Sequence, residues 1–148
     1  MLIPVDRSTL VSLIKTCHAA YGLGDKPALG LAPAKVKTSD CSGFVRWTLW
    51  KITHGKFKLK ALGSVLQRAE IQAAGFERCK YTDCQKLDSI LRVFYLPPEP
   101  GGYGHTGLCI NGYTVECYGG HGVGRRIWNT PVLLNNAVYC YVLTGELP

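Results

Sequence analysis

Acidic side chains are scarce in this 148-residue chain: ten Asp and Glu stand against seventeen Lys and Arg, giving a formal net charge of +7 and a pI near 9.1. That balance favours acidic partners: nucleic acid, anionic lipid, or an anionic polymer such as bacterial cell wall. It also aids solubility. No apolar run is long enough to cross a bilayer, so membrane insertion is not expected. The start, Met1-Leu2-Ile3-Pro4-Val5-Asp6-Arg7, lacks the charged head, apolar stretch and cleavage site of a secretory signal. Work outside the cytoplasm would therefore need another delivery route. There is no internal repeat, no low-complexity tract and no nucleic-acid-binding module. Lys35 and Lys37 are too sparse, and Lys51, Lys56, Lys58 and Lys60 read first as a basic, solvated loop and second as a patch that holds an anionic polymer. A structural zinc site normally needs four ligands. Cys79 and Cys84, with four residues between them, have no second pair or Cys/His doublet to complete a set. No metal and no cofactor are implied.

What the chain has is length enough for one buried core, with 47% hydrophobic residues, and it reads as one domain over residues 1–148. Seven cysteines (17, 41, 79, 84, 109, 117 and 140) leave at least one thiol unpaired if the others form disulfides, while several suit the role of small buried hydrophobes. Leu10, Leu13, Ile14, Cys17 and Tyr21 recur at helical spacing and predict a helix over 5–21, capped by Asp6 or Ser8. A Gly/Pro/Lys-rich loop follows over 22–38. A second helix is predicted over about 41–54, capped by Ser39 or Asp40. A third runs over about 65–74, with Ser64 to Gln67 as a capping box and Gly75 as the stop. Strands are then predicted at 76–81, 90–96, 105–110, 113–118, 125–128 and 137–144. Helices first and strands after give an α+β fold with N-terminal helices packed on a C-terminal antiparallel sheet.

Two segments carry chemistry. Ser39-Asp40-Cys41-Ser42-Gly43-Phe44-Val45 sets a cysteine at a helix start, where the partial positive charge of the terminus favours thiolate. Gly104-His105-Thr106-Gly107 sets a histidine, the natural base for such a thiol, at a strand start. Asn111-Gly112 is the strongest short hairpin signal and pairs Ile110 with Tyr113, hence Gly107 with Glu116 and His105 with Tyr118. His105 and Glu116 then share a face as diagonal neighbours, so that Glu116 can fix the tautomer of His105 and aim its other nitrogen at Cys41. His121 is the competing orienter, set on the opposite face by parity beyond Gly119-Gly120. Cys109 and Cys117 face opposite ways, which argues against a disulfide between them.

Asp40 to Val45 resembles the nucleophile motif of the NlpC-like cell-wall cysteine peptidases. Gly104 to Ile110 resembles that family's histidine strand, and Thr114-Val115-Glu116-Cys117 the strand bearing its third polar residue. Tyr21-Gly22 is similar to the family's tyrosine–glycine element, and the likeness runs over roughly residues 8–144. The resemblance implies a papain-like fold and hydrolysis of amide bonds in peptidoglycan stem peptides, often between D-glutamate and the diamino acid. It implies Cys41 as nucleophile and oxyanion-hole N–H donor, His105 as base, and Tyr21 close to the thiol. The third residue is commonly histidine in the family, and here Glu116 holds the position. Residues 97–103 replace a shorter lead into the histidine strand. A bare basic domain looks like a phage lysin or an injected amidase effector. Arg126-Ile127-Trp128-Asn129 and Tyr139-Cys140-Tyr141 are similar to the C-terminal part of such effectors. The implied partners are peptidoglycan and a delivery or immunity protein, with the chain itself a monomer. An acyltransferase or deamidase on the same core, or a non-catalytic wall-binding module, are the rival readings.

Overall fold

A computed structural model of the chain describes residues 1–98, 103–129 and 138–148. Helix α1 (Arg7–Thr16) is capped by Asp6, whose carboxylate accepts the N–H groups of Ser8 and Thr9. It ends before the predicted residue 21. Cys17 is already extended, and the chain runs on into strand β1 (Ala20–Tyr21), parallel to β2 (Thr38–Ser39). The apolar spacing that predicts a longer helix is real at Leu10 and Leu13, which are buried. Beyond Cys17 long-range hydrogen bonds win: Ala20 N–H donates to the Lys37 carbonyl and Val123 N–H to that of Ala19.

Helix α2 (Cys41–Ile52) takes Asp40 as its cap and is the central element. Phe44, Val45, Trp47, Leu49 and Ile52 are fully buried in the main core, where each large apolar side chain contributes about 1.5–3 kcal/mol. Of the four lysines read as one loop, Lys51 lies in the last turn of α2 and Lys56, Lys58 and Lys60 follow it. Helix α3 spans Ser64–Ala73. Its capping box does not form. Gly63 is the cap, without a side-chain bond, and the buried Gln67 amide instead donates to the carbonyls of Ser42 and Ala61. A tertiary contact has taken the side chain that the local motif needs.

The strands are β3 (Arg78–Cys79), β4 (Ile90–Leu96), β5 (His105–Ile110), β6 (Tyr113–Tyr118), β7 (Gly122–Gly124) and β8 (Tyr139–Glu146). They form an antiparallel sheet in the order β3-β8-β4-β5-β6-β7. The predicted 90–96, 105–110 and 113–118 match β4, β5 and β6, and β3 is the short core of the predicted 76–81. The strand predicted at 125–128 is displaced. β7 lies at Gly122–Gly124, and Ile127 makes an isolated bridge to Tyr113. Glycines carry no β-propensity signal, so the pairing segment was hidden. The start predicted at residue 137 falls outside the described residues, and β8 is seen from Tyr139.

Alternation along the strands separates two cores. Val93, Leu108, Val115, Cys117 and Leu143 join α1 and α2 in the main core. Cys84, Phe94, Cys109, Trp128, Val138 and Cys140 form a second cluster on the opposite face. Cys109 and Cys117 thus point opposite ways, as the parity requires.

Candidate active site

Cys41 opens α2, and its approach is fixed on every side. Asp40 N–H donates to the Asp25 carbonyl at 2.9 Å, and the Asp40 carboxylate accepts Gly43 N–H at 2.7 Å. Lys26 forms an ion pair with the same carboxylate and reaches Ser42 Oγ at 2.9 Å. A Cβ at Gly43 would stand 2.8 Å from Asp40 Oδ1 and 2.9 Å from the Asp25 carbonyl oxygen, so only glycine lets the capping loop close on the helix. Ser39 accepts Gly22 N–H and the Cys117 thiol at its carbonyl, tying β2 to β1 and β6 just ahead of the thiol. Cys41 N–H lies in the first helical turn, where α-helical geometry supplies no intrahelical acceptor.

His105 is the first residue of β5. Its Nε2 lies 2.7 Å from Glu116 Oε1, which leaves Nδ1 for the Cys41 thiol. The Asn111-Gly112 turn produces this pairing as the parity argument requires. Both residues have positive φ, and Ile110↔Tyr113, Cys109↔Thr114 and Leu108↔Val115 are the cross-strand pairs. Gly107 leaves room for its neighbours: a Cβ there would lie 2.9 Å from that of Glu116 and 2.7 Å from Phe94 Cζ. Phe94 lies beneath the imidazole, with ring centroids 5.8 Å apart.

Glu116 is fully buried and serves more than the histidine. Arg126 donates to it twice, Nη2 at 2.6 Å and Nε at 2.9 Å, and the Thr114 hydroxyl donates as well. Burial opposes its ionisation, yet the bonds from His105, Arg126 and Thr114 outweigh burial and hold its pKa down at about 2. Burial likewise works against a charged His105. The hydrogen bond with Cys41 and the Glu116 carboxylate outweigh it and raise the imidazole to about 9. The ring is therefore an imidazolium at neutral pH, set between the Glu116 carboxylate and the Cys41 sulfur.

His121, the competing orienter, lies past the end of β6. It stacks on Tyr118 at 4.7 Å and does not bond His105. Tyr118 in turn carries the Arg126 guanidinium on its ring at 4.1 Å. Tyr21 sits on β1, not at a helix end, and faces Cys41 across a cleft of about 480 Å³. Burial and the nearby Cys41 sulfur raise its pKa, so the phenol remains a hydrogen-bond donor. The cleft rim is apolar: Leu23, Val65, Leu66 and Tyr103 are all exposed, the last at 78%.

Arg126 and Lys26 escape the sequence reading. Arg126 was legible only as part of a C-terminal likeness, because its partner lies ten residues away across a glycine turn. Among the described residues no group of His, Cys, Asp or Glu is arranged to hold a metal ion, and no helix is long and apolar enough to cross a membrane.

No protein-family model and no curated protein matches the chain. Among solved structures, it is similar to a Staphylococcus aureus protein described as similar to lipoprotein, of the NLP/P60 family. The TM-score is 0.55 at 16% identity, over 95% of this chain and 43% of that one. The chain thus spans less than half the length of that protein. The likeness is one of fold, which in this chain is α+β, with helices packed on an antiparallel sheet.

Proposed function

We propose that the chain is a cysteine amidase or endopeptidase acting on peptidoglycan stem peptides, with the bond between D-glutamate and the diamino acid as its target. The observation that carries the reading is the chain of contacts from Cys41, at the first turn of α2, through His105 to the buried Glu116 at 2.7 Å. The Cys41 sulfur, its proton passed to His105 Nδ1, attacks the amide carbonyl carbon and forms the C–S bond. The oxyanion takes the Cys41 N–H and the Tyr21 hydroxyl as donors. His105 returns the proton to the leaving nitrogen as the C–N bond breaks, leaving a thioester on Cys41. A water, its proton taken by His105, then cleaves the C–S bond and restores the thiol. Glu116, clamped by Arg126 and Thr114, keeps the Nε2 proton in place throughout. No metal or cofactor enters this sequence of steps.

The basic surface, with net charge +7, suits an anionic wall polymer. In this reading the chain is a single, monomeric catalytic domain that reaches the wall by a phage or a secretion machinery, with an immunity protein as its counterpart in a producing cell. Mass spectrometry of purified peptidoglycan digested by the wild type and by Cys41→Ala tests it. New muropeptides from the wild type alone support hydrolysis and identify the bond. No new fragments from either folded protein refute it.

One observation favours a second reaction on the same residues. The apolar rim of Leu23, Val65, Leu66 and Tyr103 suits an acyl chain, with the Cys41 thioester passed to an acceptor other than water. Transfer of a labelled acyl group by the wild type, without wall cleavage, would establish it. A non-catalytic wall-binding module is tested by thiol reactivity: a Cys41 no more reactive toward iodoacetamide than a free thiol favours it.

A further inference from the structure

Four of the seven cysteines gather on the sheet face that carries His105 and Glu116, in the second core around Phe94 and Trp128. Cys84, in the 3-10 turn Tyr81–Gln85, places its sulfur 2.8 Å from that of Cys109 and 3.8 Å from that of Cys140. Cys79 is the direct cross-strand partner of Cys140 between β3 and β8. The sulfurs therefore run in a line, 79–140–84–109, from a half-buried strand edge to a fully buried centre.

A line of four has one complete pairing by neighbours. We propose that Cys84–Cys109 and Cys79–Cys140 are two disulfides, formed when the chain folds where a disulfide oxidant is present. Directly opposed antiparallel residues hold their Cα atoms about 4.5–5.5 Å apart, inside the range a disulfide bridges. A shared zinc ion is the alternative for four thiols. Tetrahedral ligands at about 2.3 Å set their sulfurs about 3.8 Å apart. The 2.8 Å approach of Cys84 to Cys109 does not fit that, nor is any described group arranged to hold a metal.

The chemistry balances with a small-molecule disulfide or a thiol–disulfide oxidoreductase as oxidant. Each protein pair loses two protons and two electrons and gains one S–S bond, and each oxidant disulfide becomes two thiols. The pKa of all four thiols is raised, that of Cys79 and Cys84 by a neighbouring thiol and burial, that of Cys109 by burial against the opposing Cys84 contact, and that of Cys140 by Cys84 and burial against the opposing Cys79 contact, so in the folded, reduced protein these groups are protonated and slow to react. Oxidation therefore accompanies folding, before the cluster closes. The pairing leaves Cys41 as a thiol, with Cys17 and Cys117 in the other core. It also ties the 3-10 turn and β3 to β5 and β8, around the Phe94 ring that supports His105.

The test is refolding of the full chain in a mixture of reduced and oxidised glutathione, then denaturation in an alkylating agent and non-reducing peptide mapping. Linked peptides Cys84–Cys109 and Cys79–Cys140, with Cys17, Cys41 and Cys117 alkylated, are expected. The melting temperature should exceed that of the reduced protein by about 10 °C. The single variant Cys84→Ser should retain the Cys79–Cys140 link and leave Cys109 alkylated. Seven alkylated cysteines, any other pairing, or one equivalent of tightly held zinc in the purified protein would overturn the assignment. None of these results depends on whether the chain cleaves cell wall.

Discussion

Replacing Glu116 by glutamine tests the centre of the site most directly. The wild-type carboxylate is wholly buried and accepts bonds from His105, Thr114 and twice from Arg126, so every contact on it is a donor. Glutamine keeps the volume but carries one acceptor and two donors. At least one donor then faces another, and the Arg126 guanidinium, 19% exposed, loses its counter-charge. Removing one partner of a buried ion pair costs about 3–5 kcal/mol. Arg126 retains some water, so the lower end, about 3 kcal/mol, is expected. In a chain of this length that is a fall of about 6–12 °C in Tm. The same change releases His105 Nε2–H from its carboxylate. The imidazole pKa should drop well below about 9, and kcat should fall by roughly 10³-fold or more as ring orientation is lost. Calorimetry, an NMR titration of the His105 ring, and muropeptide release measure the three effects. Adding Arg126→Met to Glu116→Gln removes the orphaned cation, so Tm should recover by several degrees while activity does not. A Glu116→Gln enzyme within about threefold of wild-type kcat/KM, with an unmoved His105 titration, would refute the orienting role.

Stability should depend on pH through the same groups. The His105 pKa lies above its ordinary 6.5, so its contribution is complete below pH 6.5 and is lost as pH rises through about 9. That of Glu116 lies below 4.5, so its contribution is complete above pH 4.5 and is lost as pH falls toward about 2. Thermal melts should show the pair's full effect between pH 4.5 and 6.5, and His105→Gln should flatten the alkaline arm. Tyr21→Phe should lower kcat about 10²-fold with Tm nearly unchanged, if its hydroxyl serves the oxyanion. Equal kcat would remove it from the mechanism. Gly107→Ala forces a methyl against Phe94 and the Glu116 Cβ. It should cost about 1–3 kcal/mol in denaturant melts and reduce activity with it.

Which residues meet was readable wherever one local rule sufficed. The Asp40 cap and the helix beginning at Cys41 follow from hydrogen bonds spanning three residues. The shared face of His105 and Glu116 follows from a two-residue turn and the strict period of two in a strand. Tyr21 lines the cleft beside Cys41 from β1 and not from the end of a helix. Its helical spacing continues past Cys17, and what ends the helix is pairing with residues eighteen positions downstream. The Gln67 capping box fails for the same reason, since a buried carbonyl in α2 competes for its amide.

The sequence by itself determined the α+β order of elements, the capped cysteine and the histidine–glutamate hairpin, because each rests on interactions among near neighbours along the chain. Only the tertiary structure decided that Arg126 clamps Glu116, that Tyr21 and the apolar residues of α3 enclose the Cys41 cleft, and that four cysteines from β3, the 3-10 turn, β5 and β8 form one line. Those contacts join segments whose registers are set by the packing of the whole sheet, and no local periodicity encodes them.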